Sequence, residues 1–559
     1  MWDALRTPRW VSRMVWFVGA VSLLSALLPS LRGRVDLVRE MVPDVFPAAA
    51  TTGAAAVGVL LIVLAAGVRR GKFRAWLVVT VLSALAAVMH LVKGLDIEEA
   101  ALCLLAFAYL VATRKEFTAR PDPRSTARMT ATLLLGTAVA GLVGLGWLLF
   151  DADGQVPGTT FWDRVVQAYA GLLGIPGPVD FVSSADSDQA AVALVVLGAS
   201  VLVATVLAAL QPVDGPHPPD AEERARLVAL LDRWGDQDSL GYFTLRDDRC
   251  IIFAASGKSA LTYRVVGTVS LAAGDPIGDP EAWPGAIKAW LDEARSYGWT
   301  PAVLAASERG ATAFARAGLD ALELGDEAIL CVEEFSLAGR SMRGIRQAVS
   351  RCERAGLTVS CHRVSELSEE LRADVLHAAD AWRDGEVERG FSMALGRFGD
   401  ARDPDTVVVL ARDADGALRG LLHFVPWGDK GLSLDLMRRD RSSENGLIEA
   451  MVAGLLQAAP SLGVRRVSLN FAVFRSVFAR GERLGAGPVL RMWRSILLWL
   501  SRFWQIESLY RANAKYHPLW EPRFVCFRSS SDLPRLGVAA LRAEAFLVAP
   551  AWWRRLSGS

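Results

Sequence analysis

The sequence predicts a multi-span helical membrane domain followed by a cytoplasmic α/β domain. Three observations carry that prediction: six long apolar stretches fill the first 210 residues, a proline-rich break (QPVDGPHPPD, 211–220) follows, and short β-like runs then alternate with amphipathic helices. The hydrophobic share of 52% and the mean hydropathy of +0.28 average two unlike parts, so the net charge of +1 excludes no class of partner.

A helix needs about 20 apolar residues to cross a bilayer core. By that measure spans are expected at Val11–Leu31, Phe46–Val68, Ala75–Leu95, Glu98–Thr113, Met129–Phe150 and Asp188–Leu210. The fourth is short, and the turn at Asp96-Ile97-Glu98-Glu99 predicts a tight hairpin with the third. Cytoplasmic loops hold an excess of lysine and arginine. Arg6, Arg9 and Arg13 precede the first span, Arg69, Arg70, Lys72 and Arg74 separate the second and third, and Arg114, Lys115, Arg120, Arg124 and Arg128 separate the fourth and fifth. Asp151, Asp153, Asp163, Asp180, Asp186 and Asp188 crowd the loop between the last two, whereas Arg32, Arg34 and Arg39 are offset by Asp36, Glu40 and Asp44 after the first. Both termini are therefore expected in the cytoplasm of a cell-membrane protein. A cleaved signal peptide is the other reading of the first run, but five further spans and no clear cleavage signature favour an uncleaved anchor. Ionisable groups within spans mark function by default. His90 and Lys93 also have plainer readings, as a packed and a snorkelling side chain.

After the linker (213–224), Glu222–Trp234 reads as an amphipathic helix. Strand-like runs follow at Tyr242–Leu245, Cys250–Ala255, Ala260–Val266, Thr268–Ala273 and Pro301–Ala305, with helices at Trp283–Tyr297 and Glu308–Ala317. A second unit repeats the pattern. Its helices are Arg340–Ala355, Leu367–Arg383 and Gly446–Ala459, and its strands are Leu357–Val364, Thr406–Arg412, Leu418–Pro426, Gly431–Met437 and Arg465–Phe471. The expected division is a membrane domain at 1–212, α/β units at 225–337 and 338–545, and a tail at 546–559. The six cysteines show no CxxC spacing, so free thiols are expected and neither disulfides nor a zinc site.

Three constellations could carry chemistry. Arg343, Arg346, Arg351 and Arg354 fall along one side of a helix and could hold phosphates, although such stripes are often merely solvated. The run Ser433-Leu-Asp-Leu-Met-Arg-Arg-Asp440 leaves a strand and leads to Asn445-Gly446 at a helix start, where free amides suit an anion or acyl carrier. Alternation places Asp435 on the face of Met437, with Arg438 as its expected partner; a structural salt bridge is the other reading. Near the end, Tyr510–Phe524 mixes aromatics with cations and carries two prolines, which reads as a binding segment, with Trp520 and Phe524 as possible core. No GxxxxGK[ST], HExxH or GxSxG motif and no Cys/His metal set occurs, which argues against ATP hydrolysis, zinc proteolysis and serine hydrolysis.

Over roughly residues 225–530 the chain resembles the phosphatidylglycerol lysyltransferase family, also called lysylphosphatidylglycerol synthetases or multiple peptide resistance factors. The resemblance rests on Asp238-Ser-Leu-Gly-Tyr-Phe243, Gly274-Asp-Pro-Ile-Gly278, Gly325-Asp-Glu-Ala328, the arginine helix, Glu388-Arg-Gly-Phe-Ser392, Asp435-Leu-Met-Arg438, Ser468-Leu-Asn470 and Lys515-Tyr-His-Pro-Leu-Trp-Glu-Pro-Arg523, in that order. It implies tandem GNAT-like acyltransferase folds on a membrane anchor. It also implies transfer of an aminoacyl group, lysine or alanine, from aminoacyl-tRNA to phosphatidylglycerol of the inner leaflet, which alters surface charge and resistance to cationic peptides. Carried over by motif, Asp435, Arg438 and Lys515 are the expected catalytic residues. Glu388, Asn470, Trp520 and Arg523 are expected to bind substrate, and Arg343, Arg346, Arg351 and Arg354 to bind tRNA. Asp435 would take the substrate ammonium or the hydroxyl proton, Arg438 and Lys515 the lipid phosphate or the oxyanion, and Glu388 the amine. No cofactor or metal is expected, because the acyl group arrives activated. Relatives commonly have more spans, and some carry a lysyl-tRNA synthetase domain, so lipid flipping by this chain is not expected. The rival readings are a non-catalytic membrane scaffold with an acyltransferase-like fold and an acetyl-CoA N-acetyltransferase. The latter would want an Arg-x-x-Gly-x-Gly loop that residues 439–446 do not supply.

Overall fold

The structure is a computed structural model that describes residues 7–27, 45–69, 71–94, 96–117, 123–209, 218–383, 388, 390–473 and 511–547. Arg6, Arg32, Arg34, Arg39, Asp36, Glu40, Asp44, Arg70, Arg120, linker residues 213–217, the tail beyond Leu547 and the side chain of Lys93 lie outside the described residues. The chain divides into two compact units near Val213.

The first unit is helical: α1 (Pro8–Leu27), α2 (Val45–Arg69), α3 (Phe73–Gly94), α4 (Ile97–Ala112), α5 (Pro123–Phe150), α6 (Phe161–Leu172) and α7 (Ser184–Ala209). All but α6 fall on expected apolar stretches. The acidic loop hides α6, whose start is set by a capping box: Thr160 Oγ1 accepts from Asp163 N, and Asp163 Oδ2 accepts from Thr160 N. Among the described residues, three helices are long and apolar enough to cross a membrane, over Phe73–Val92, Ala127–Phe150 and Ser184–Ala209; the runs Trp10–Ser25 and Gly53–Arg69 are shorter. His90 is fully buried with Nε2 3.2 Å from Ser22 Oγ on α1, in keeping with its packed reading.

The second unit is an α/β domain with helices α8 (Ala221–Trp234), α9 (Trp283–Tyr297), α10 (Glu308–Arg316), α11 (Arg343–Arg354), α12 (Glu369–Ala381), α13 (Leu447–Ala458) and α14 (Leu533–Ala543). Its strands are β1 (Cys250–Phe253), β2 (Ser259–Val266), β3 (Val269–Ala273), β4 (Ile277–Gly278), β5 (Thr300–Ala306), β6 (Asp320–Cys331), β7 (Thr358–Arg363), β8 (Val407–Arg412), β9 (Leu418–Trp427), β10 (Gly431–Arg439), β11 (Arg466–Val473) and β12 (Leu519–Phe527). They form one sheet in the order β1-β2-β3-β5-β12-β6-β11-β10-β9-β8-β7, with β4 on β2. Antiparallel pairing of β6 with β11 joins the two halves. β12 comes last in the chain yet lies between β5 and β6.

One sequence expectation gives way here, and another segment gains a strand that was not foreseen. Tyr242–Leu245 is not a strand but part of a 3₁₀ turn over Gly241–Leu245, whose apolar character reflects burial of Phe243 in the core. The presumed binding segment supplies a central strand, with Pro522 tolerated beside a register shift at Arg523/Phe524.

Alternation in β10 sorts the core into two layers. Leu432 and Leu434 pack with Ile345 of α11 and Met451 of α13, whereas Leu436 packs with Val375 and Ala379 of α12 on the other face. The switch occurs at a register shift between Leu434 and Leu436, which makes Asp435 the extra residue of a β-bulge.

Candidate active site

β10 and β11 pair in parallel only from Gly431–Ser433 to Arg466–Ser468, although both strands run further. Asn470 stands where the pairing stops, with a left-handed φ of 64°. Its Nδ2 donates to the carbonyl of Leu434, the residue before the bulge, and its buried Oδ1 finds no partner among the described residues. Asn470 therefore ties the two strands together as they separate.

A cleft of about 800 Å³ adjoins this split on the α11/α13 side, floored by Leu434, Met437, Val452 and Leu469. The start of α13 opens into it. Gly446 caps that helix without a side-chain hydrogen bond and with φ of 97°, and a Cβ there would lie 2.7 Å from the Cβ of Ala348 on α11. Glycine thus lets α11 approach where α13 begins; the Leu447 amide donates to the Glu444 carbonyl (3.3 Å), and the positive end of the helix, with Ile448 and Glu449 lining the cleft, favours anions. Arg351, Arg439 and Lys515 also line the cleft. Lys515 Nζ lies 2.6 Å from Glu449 Oε1. Burial alone would raise the Glu449 carboxyl, but the lysine outweighs it and holds it below its usual range. Asn513 Nδ2 and Tyr516 Oη are buried on the same wall with no partner among the described residues.

Asp435 belongs to the opposite face. Its Oδ1 accepts from the Leu395 amide (2.6 Å) and its Oδ2 faces His423 Nδ1 (2.7 Å), with side-chain exposures of 4% and 1%. A carboxylate only accepts, so Nδ1 carries the hydrogen. His423 Nε2 is buried without a partner among the described residues, and the ring meets Phe398 edge-on at 4.8 Å. The expected Asp435–Arg438 pair is not made, although the bulge leaves both residues on the face opposite Met437, because the Leu395 amide and His423 take up both oxygens of Asp435. Arg438 instead donates from Nη2 to both oxygens of Glu388 (2.6 and 2.7 Å) and from Nη1 to the carbonyl of Ala379.

The structure therefore brings Glu388 to Arg438, sets Asp435 in the same layer, and places Lys515 in the cleft of the other face. Arg523 joins neither group. It is 2% exposed, and its guanidinium binds Glu327, Asp238 Oδ1 (2.7 Å), Ser239 Oγ (2.7 Å) and the Ala305 carbonyl (3.3 Å), which commits all five N–H groups. Its donors are all turned to protein groups in the core, away from both faces of the split. Trp520 packs half-buried against the core under α11 and α13. Along α11, Arg343, Arg351 and Arg354 are exposed, whereas Arg346 is half-buried and bonds the carbonyls of Leu337 and Gly339. His423 was missed by the sequence reading; the signal was a lone polar residue in the apolar run Leu421-Leu-His-Phe-Val425.

These features define a membrane-region protein with an α/β domain whose split sheet opens onto a polar cleft. Residues 228–527 match the family described as phosphatidylglycerol lysyltransferase, C-terminal, and residues 4–210 match the transmembrane region of lysyl-tRNA synthetase. The chain belongs to the phosphatidylglycerol lysyltransferase family. It is 43% identical, over 97% of its length, to the lysylphosphatidylglycerol biosynthesis bifunctional protein LysX of Mycobacterium avium and covers 47% of that relative. For LysX of Rhodococcus opacus the figures are 42%, 95% and 48%. The chain thus spans about half the length of the curated relatives it matches. Among solved structures, L-PGS from Bacillus licheniformis superposes with a TM-score of 0.52 at 21% identity, covering 60% of this chain and 99% of that one, and shows the same fold.

Proposed function

We propose that this protein moves the lysyl group of lysyl-tRNA onto the glycerol hydroxyl of phosphatidylglycerol in the cytoplasmic leaflet. The observation that carries the reading is the union in one chain of the lysyltransferase region (228–527) with the transmembrane region (4–210). The relatives' name, which specifies lysylphosphatidylglycerol, favours lysine over alanine. Six spans with both termini cytoplasmic would hold the α/β domain where charged tRNA and the inner leaflet meet. Added ammonium groups would then make the membrane surface less anionic and less attractive to cationic peptides.

The chemistry exchanges one ester for another. The glycerol oxygen attacks the lysyl carbonyl, the bond from that carbon to the tRNA ribose oxygen breaks, and the hydroxyl proton ends on the ribose. The protein must supply alignment and donors for the tetrahedral oxyanion. Arg439 and Lys515, at the positive end of α13, supply such donors, and Arg343, Arg351 and Arg354 on α11 offer charge to tRNA phosphates. Glu388, with 35% of its side chain exposed, is open to an incoming ammonium while Arg438 fixes its orientation. Asp435 acts in this reading as a fixed charge that holds Leu395 and His423, in place of a direct acceptor of the hydroxyl proton.

The test is to express the chain in a host that lacks aminoacylated lipids, extract the lipids and analyse them by mass spectrometry. A species one lysyl residue heavier than phosphatidylglycerol is expected, and its formation in membranes supplied with lysyl-tRNA persists in chelator. Alanyl lipid alone, or no product, would overturn the reading.

A further inference from the structure

The irregular loop Gly390–Gly396 follows Glu388 by two residues and supplies the amide that holds Asp435. A loop has no ladder to satisfy its backbone, and surface loops usually turn to water. Here charged side chains from distant parts of the chain do so. Glu544 receives the Phe391 amide on Oε2 (2.6 Å) and the Ser392 amide and hydroxyl on Oε1 (3.0 and 2.5 Å), while its own carbonyl accepts from Gly390 N (3.2 Å). Arg246 Nη1 donates to the carbonyls of Gly390 (3.0 Å) and Ala394 (2.6 Å). Arg249 Nη2 donates to the carbonyl of Phe391 (2.5 Å) with its guanidinium 4.5 Å from the centre of that ring.

Two costs are accepted to build this arrangement. Arg249 is 1% exposed, and burying a guanidinium is expensive even when it is bonded. The chain also leaves α14 through Ala545 at φ 58°, a left-handed position that glycine normally fills. Its amide and that of Phe546 close on the carbonyls of Arg542 and Leu541, which sets the direction of Glu544 as the helix ends. Costs of this kind are borne where a first set of side chains must be held by a second.

We propose that Glu544, supported by Arg246 and Arg249, is a positioning residue for the transfer reaction, acting through the Gly390–Leu395 loop on Glu388, Arg438 and Asp435. The assignment rests on the lysyl-transfer reading above. None of the three touches substrate; each fixes main chain beside Glu388, the group that does, and beside the residues that orient it.

The test is a double-mutant cycle on the full-length protein in phosphatidylglycerol vesicles with lysyl-tRNA. E544Q keeps the size of the side chain but sets an NH2 group against backbone amides, so kcat/KM falls about 10- to 100-fold, the scale of a misplacement near 1 Å. In an E388A background the same change costs less than about threefold, because the group it positions is gone. A merely structural role would give the same fold loss in both backgrounds and would overturn the proposal, as would an unchanged rate in E544Q alone. If E544Q does not fold, S392A removes one donor to Glu544 and is put through the same cycle with the same criterion. A wild-type chain that forms no lysylphosphatidylglycerol defeats the functional reading and this role with it. A wild type that is active but additive defeats the role alone.

Discussion

Arg523 closes a buried knot in which Glu327 of β6, Ser468 of β11 and the Asp238-Ser239 turn all converge. Removing one partner of such a pair strands the other charge, so Arg523→Ala should lose about 3–5 kcal/mol of stability, read as a lower denaturation midpoint. Asp275 stands beside this knot. Burial, then the neighbouring charge of Asp238, raises its carboxyl to about 7. An unfolded aspartate titrates near 4, so between roughly pH 4 and 7 the folded chain binds more protons than the unfolded one. Stability therefore falls as pH rises through that window. Asp275→Asn, compared with wild type by denaturation at pH 5 and 7.5, should flatten the fall; an unchanged slope would contradict it. In the cleft, Gly446→Ala should reduce both stability and activity, because alanine is strained at φ 97° and the added methyl meets Ala348 at the mouth of the helix start. Initial rates beside melting curves will separate the two effects.

The elements most legible in the sequence were those whose neighbours left their periodicity intact. α9 runs from Trp283 to Tyr297 as the pattern implies, because its buried Trp283, Ile287, Trp290 and Ala294 recur at helical spacing. Elements with interrupted patterns were lost. β12 breaks alternation at Pro522 and at a register shift, and β6 opens with exposed residues before its apolar run, so neither looked like a strand. The same interruption misdirected Asp435, since a bulge moves one residue to the other face and no alternation rule foresees it. The site was therefore legible as a set of motifs but not as a geometry. The motifs singled out Glu388, Arg438 and Lys515, which the structure places near the split sheet, while the partner of each and the buried ion pairs of Arg523 needed three dimensions. One element-scale prediction follows from α14. Ala545→Gly relieves the left-handed alanine and should raise stability by about 1 kcal/mol, measurable as a higher melting temperature.

At the scale of the whole molecule, the boundary between apolar helices and α/β domain was plain from composition, whereas the joining of the two half-sheets was not. A strand from near the C-terminus completes the half built mostly from residues 250–331. A fragment ending at residue 337 should accordingly expose three unpaired edges, one on β5 and both on β6, and aggregate when expressed without the remainder; a soluble, cooperatively melting fragment would refute this.

The late arrival of β12 has a consequence for biogenesis. Translation must proceed past residue 527 before the centre of the sheet can close, long after the apolar helices have left the ribosome. Two strands that end as interior neighbours of β12 thus remain bare margins while residues 332–518 are made. Chaperones, or the charged side chains along β6 such as Glu323 and Asp326, must keep them from sticking to other nascent chains in the meantime.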